Sequence, residues 1–162
     1  MKYWSGLMIA TGIALSFVLT CITPFAAVAA FAAQTVPRRL ALVTLLGTLA
    51  GNQIVGYAFL GYPHTPQTYL WGPLLAIASL AAFEAARPMR NLFFAFVAAF
   101  VAYEAFILVF SAATNTLADF TLRPFVQALE ANLTGFVLLA FLRAGFLAVD
   151  RYVRGRVRHA HR

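Results

Sequence analysis

The sequence predicts an all-α polytopic membrane protein, a compact bundle of six transmembrane helices with both termini on the cytoplasmic side. Three observations carry this expectation. Of the 162 residues, 62% are apolar and only 10% are charged, whereas soluble domains run near a quarter charged. The apolar residues fall into six runs, most of them near the roughly 20 residues that cross a hydrocarbon core about 30 Å thick. The basic residues occupy alternate gaps between those runs, as expected of short cytoplasmic loops.

The runs extend from Ser5 to Cys21, Pro24 to Val36, Leu40 to Leu60, Thr68 to Ala86, Asn91 to Ala113 and Pro124 to Val149. Between them lie Thr23 with Pro24, Pro37 with Arg38 and Arg39, the loop from Gly61 to Gln67, the turn from Arg87 to Arg90, and the stretch from Asn115 to Arg123. Each holds residues that break helices or favour turns. The first pair of runs has a second reading, one helix kinked at Pro24, but about 32 residues at 1.5 Å each would extend roughly 48 Å. Charge placement decides for six spans. Lys2, Arg38, Arg39, Arg87, Arg90 and the basic tail then share the cytoplasmic side, and only Arg123 faces outward. The short second span is expected to be tilted, re-entrant or partly covered by protein, with Pro24 in its first turn, where the missing N–H costs nothing.

Residues 1–150 read as a single six-helix transmembrane domain and 151–162 as a basic cytoplasmic tail, suited to stop transfer and to anionic lipid rather than to nucleic acid. Lys2 and the small residues Ala27, Val28 and Ala29 imitate a secretory signal, but four or more spans follow in any case. The chain is expected in the inner, cytoplasmic membrane as a multi-pass protein. A lone cysteine, Cys21, leaves no internal disulfide and no Cys-based metal cluster.

Lipid tails are as apolar as leucine, so association between spans depends on small residues and interhelical polar contacts. Gly6, Ala10 and Ala14 recur every four residues in the first span, Gly47 and Gly51 form a GxxxG in the third, and Ala78, Ala82 and Ala86 repeat the spacing in the fourth. The first of these stripes is the candidate for docking a partner helix, because it lies on a terminal span.

Ionisable groups at the bilayer centre cost about 2.5 to 3.5 kcal/mol each on insertion scales and so call for a partner or a function. Glu104 lies near the middle of the fifth span and shares a helical face with Ser111 and Asn115. Arg123, Gln127, Glu130 and Thr134 share a face of the sixth, and Asn52 and Gln53 bring amides to mid-depth in the third. With Tyr57, His64, Gln67, Tyr69 and Trp71, these residues suggest an outward-opening polar pocket with aromatic walls, as a small-molecule site requires. The competing reading is structural: an ion pair of Arg123 with Asp119 or Glu130, amide glue, and an interfacial aromatic belt. Glu84 beside Arg87 reads as interfacial, and His64 reads as a hydrogen-bonding loop residue rather than a metal ligand.

Missing parts exclude several chemistries. The single lysine, Lys2, leaves no phosphate loop ending in lysine and no retinal Schiff base. No HExxH, no pair of histidines within a span and no CxxC occurs, so no metal or cofactor is expected. Intramembrane charges are too few for an ion-driven transporter, and no inverted three-plus-three repeat is evident.

Six short-looped spans, cytoplasmic ends, a small Ala/Gly/Phe-rich chain and the AxxxA of Ala10 and Ala14 together resemble the substrate-binding S components of energy-coupling factor (ECF) vitamin transporters. The resemblance covers the architecture of the whole chain and rests on few residues. It implies an outward-facing site in the outer half that takes a vitamin or related micronutrient. It further implies a separate transmembrane coupling subunit docked on Gly6, Ala10 and Ala14, ATPase subunits that supply the energy, and no enzymatic activity in this chain. Two other readings stand beside it: a non-transporting accessory or assembly subunit of a larger membrane complex, and an intramembrane enzyme with Glu104 or His64 moving a proton.

Overall fold

Helices form in all six apolar runs, and the polar and proline-rich breaks separate them. The computed structural model describes residues 1–19, 23–114 and 122–160. It consists of α1 (Lys2–Val18), α2 (Phe25–Thr35), α3 (Arg38–Ala58), α4 (Pro66–Ala86), α5 (Leu92–Ala113) and α6 (Leu122–Ala160), with no strand among the described residues. The starts follow local chemistry. Thr65 caps α4, its side-chain oxygen accepting the Thr68 N–H, and Pro66 takes the first helical position. Asn91 caps α5 through the Phe93 N–H at 2.8 Å. Gly61, at φ 68°, permits the turn that leads from α3 toward α4.

Successive helices alternate in direction. At one end of the bundle Trp4 Nε1 donates to Thr35 Oγ1 at 2.8 Å, Gln34 Nε2 donates to the Ala86 carbonyl at 2.8 Å, and Arg38 meets Glu84 at 2.9 Å. The beginnings of α1, α3 and α5 therefore gather with the ends of α2 and α4. Lys2, Arg38, Arg39, Arg87 and Arg90 all belong to this arginine end, while His64 and Arg123 belong to the opposite one. Glu84 bridges Arg38 and Arg87 there, at 2.9 Å to each, with all three side chains well exposed. The three side chains form an exposed ion-pair network at this end of the bundle.

Helices α3, α4, α5 and the Leu122–Val153 part of α6 are each long and apolar enough to cross a membrane. The protein is thus an all-helical bundle of membrane-protein character. Helix α1, with 17 residues, covers about 25 Å. Helix α2 differs: its 11 residues cover only about 16 Å, and Phe25 through Ala32 are no more than 2% exposed. It is enclosed by α3, α4, α5 and α6, so the second apolar run is an inner half-length helix wrapped in protein. Helix α6 continues without a break to Ala160, so the basic tail begins within it.

Small residues set the interhelical distances. A Cβ on Gly12 would overlap Thr48, and one on Gly51 would overlap Ile13, which fixes α1 closely against α3. Ala78, Ala82 and Ala86 are fully buried on the inner face of α4. Gly135 of α6 lets Pro24, at the start of α2, come into contact. By contrast Gly6, Ala10 and Ala14 are exposed on the outer face of α1, and nothing lies within 4 Å of a Cβ built on Gly6.

Candidate functional site

The interrupted helix creates a buried polar problem that the fold solves internally. The first N–H groups of α2 lie inside the bundle, where an unpaired amide is expensive. Asn132, 1% exposed on α6, supplies the cap: its Oδ1 accepts the Ala26 N–H at 3.0 Å and the Ala27 N–H at 3.2 Å, while its Nδ2 donates to the Ala128 carbonyl. Just before this start, Thr23 Oγ1 bonds Ser16 Oγ at 2.7 Å and accepts from Asn52 Nδ2 at 2.7 Å; Gln53 Nε2 donates to Asn52 Oδ1 at 3.1 Å. Asn52 is 2% exposed and its amide is committed to this network. The α2 N-terminus is therefore closed, with no N–H left to greet an anion.

A second group lies at the His64 end. Tyr57 is ringed by Tyr62, His64 and Tyr69 at centroid distances of 5.6, 5.3 and 5.3 Å, and His64 Nδ1 shares a 2.8 Å hydrogen bond with the Tyr69 hydroxyl. These rings pack on one another and pin the α3–α4 loop to the top of α3. The Tyr57 hydroxyl is buried without a hydrogen-bond partner.

The cavity proper lies elsewhere, between α4, α5 and α6. It has a volume of about 400 Å³, within the usual range for small-molecule sites. Gln67 and Trp71 of α4, Tyr103, Glu104 and Ser111 of α5, and Phe125 of α6 form its functional wall, with aliphatic side chains completing it. Glu104 is the single acidic group in that lining and is only 9% exposed. No hydrogen bond or ion pair joins its carboxyl to another described residue. An acid in such an apolar setting calls for a partner or a function.

The structure thus divides the residues singled out in the sequence. Glu104 and Trp71 share the cavity, and Gln67 and Ser111 join them. Asn52 and Gln53 belong to the buried network, while Tyr57, His64 and Tyr69 form the aromatic cap. Gln127 and Glu130 lie exposed along α6 beside exposed Arg123 and Thr134, so the shared face is real but turns away from the cavity. Arg123 and Glu130 form no ion pair with each other. Asn115 and Asp119 lie outside the described residues. Tyr103, Phe125 and Asn132 carried no role in the sequence reading. The sequence signal for Asn132 was present, an amide inside an apolar run, but its partners lie 105 and 106 positions away.

Among the described residues no group of three His, Cys, Asp or Glu side chains gathers to hold a metal ion. The arrangement offers binding chemistry: one carboxyl, aromatic faces, and an amide and a hydroxyl in an apolar setting. Comparison with known proteins yields no relative, since no protein-family model, no characterised protein and no solved structure matches the chain.

Proposed function

We propose that the chain is the membrane-embedded substrate-binding subunit of an importer, resembling the S components of energy-coupling factor transporters. It crosses the cytoplasmic membrane with six segments, the second being the half-length α2, and both termini are cytoplasmic. This orientation rests on the gathering of Lys2, Arg38, Arg39, Arg87 and Arg90 at one end. The cavity then opens in the outer half and captures a small vitamin-like molecule. A separate coupling subunit docks on Gly6, Ala10 and Ala14, and ATPase subunits drive uptake.

One observation carries the reading: the buried carboxyl of Glu104, without a partner among the described residues, in a cavity of ligand size. The free small-residue face of α1 supports the docking surface. Calorimetry of the purified protein against a panel of vitamins and related micronutrients tests it. Saturable binding of one compound, weakened by Glu104→Ala without loss of membrane insertion, is the expected result. Binding of none, with no other saturable small-molecule ligand, overturns it. For docking, Ala10→Trp is expected to abolish co-purification of the partner while sparing ligand binding; unchanged co-purification dismisses that role.

The second reading, an accessory or assembly subunit, is favoured by the exposed Arg123, Gln127, Glu130 and Thr134 along α6, since polar groups within spans usually face protein. Stable capture by a neighbouring subunit, with indifference to every small molecule, decides for it.

A further inference from the structure

The cavity adjoins a crevice on the flank of the bundle. Helix α5 packs along α4 but meets α6 only briefly, and the gap between α5 and α6 holds a second crevice of about 260 Å³. Glu104 and Phe125 line both spaces, so they form the boundary between the α4–α5–α6 cavity and the crevice on the flank of the bundle. The crevice mouth is made by Val101, Ala105 and Leu108, all exposed and all apolar. On a membrane-crossing helix such a face meets hydrocarbon rather than water.

From this juxtaposition we infer that the ligand is an amphiphilic amine that enters from within the bilayer, seating its ammonium head at Glu104 and leaving its apolar tail in the α5–α6 crevice. The inference rests on the proposed binding function and names the substrate class. The chemistry of the chamber selects the head. A carboxylate with no donor among the described residues is matched by an ammonium, whose charge-assisted hydrogen bonds are short and strong in a site of low polarity. The faces of Trp71, Tyr103 and Phe125 attract the same cation through their ring quadrupoles. Head and carboxylate are then neutral together, which removes the cost of placing either one there alone. The flank selects the tail. A water-soluble ligand has no use for an apolar slot open to lipid, whereas an alkyl chain loses nothing by lying in it.

The test uses the full chain in phosphatidylcholine nanodiscs, with radiolabelled dodecylamine as the probe, empty nanodiscs as background, and dodecanol and phenethylamine as comparison compounds. Dodecylamine is expected to bind saturably and to resist displacement by dodecanol. Glu104→Gln is expected to weaken it by about tenfold or more. Ala105→Trp, which fills the crevice mouth, is expected to weaken dodecylamine similarly while leaving phenethylamine bound. Circular dichroism and gel filtration verify each variant, and the two substitutions act at separate points, so failure of one to fold leaves the other decisive. Displacement by dodecanol as effective as by dodecylamine overturns recognition of the head. Unchanged dodecylamine binding in Ala105→Trp overturns the lateral route. Glu104-dependent binding of a non-amine, with no amine bound, overturns the substrate class and leaves the binding subunit standing. Absence of any saturable ligand removes both.

Discussion

The side-chain oxygen of Asn132 accepts the backbone N–H of Ala26 at 3.0 Å, joining α6 to the first turn of α2 across 106 positions of sequence. The contact makes a half-length helix tolerable inside a membrane bundle. Helix α2 begins well within the protein, with no water to satisfy its leading amides, and Pro24 before it has no side-chain donor or acceptor to offer. Asn132→Ala removes acceptors for two N–H groups at once. We expect a loss of about 1 to 3 kcal/mol, the cost of leaving buried donors unpaired. Reversible unfolding in mixed micelles measures it, with Thr134→Ala on the exposed face of α6 as the control. Equal stability of the two variants overturns the capping role.

Asn52 makes a contrasting case. Its position at mid-depth in an apolar helix marks it as a ligand contact by the usual logic of membrane sites, yet its amide is spent on Thr23, Ser16 and Gln53. Asn52→Ala is therefore expected to cost about 1 kcal/mol of stability and to leave ligand affinity within about twofold. Calorimetry and unfolding on the same preparation separate the two effects. A tenfold or larger loss of affinity at unchanged stability refutes the assignment.

Asn52 and Asn132 also show what the sequence makes legible. Hydropathy, turn residues and charge placement located every helix, because each depends on neighbours in the chain. The Gly47 and Gly51 pair and the Ala78, Ala82 and Ala86 series announced packing faces for the same reason. The shortness of the α2 run left tilting, re-entry and partial covering by protein open, and hydropathy, which measures apolarity and not depth, could not choose among them; the structure encloses Phe25 through Ala32 fully. Periodicity placed Arg123, Gln127, Glu130 and Thr134 on one face of α6, but the rotation of that helix depends on where Gly135 and Asn132 meet α2. That rotation turns Phe125 toward the cavity and Glu130 away from it.

The glycines offer a paired prediction about which surface is inside. Gly51 sits where any Cβ would overlap Ile13 of α1, whereas Gly6 faces open space. Gly51→Leu is expected to separate α1 from α3 and cost about 1 to 3 kcal/mol, the usual range for overpacking. Gly6→Leu is expected to leave the isolated protein unchanged within about 0.5 kcal/mol. Thermal unfolding of the two variants checks this, and equal destabilisation refutes the outward placement of the α1 stripe.

The orientation of the bundle can be read with single cysteines in a Cys21→Ser background. Arg39 lies in the first turn of α3 at the arginine end, and His64 lies in the loop beyond its other end. Both are exposed, and α3 alone is long enough to separate them by a membrane. Arg39→Cys is expected to react only after the cells are permeabilised, and His64→Cys is expected to react with an impermeant maleimide in intact cells. The basic cluster at the arginine end is the physical cause, since lysine and arginine in short loops are retained on the cytoplasmic side. The converse pattern inverts the bundle and turns the Glu104 chamber toward the cytoplasm, which is incompatible with capture from outside.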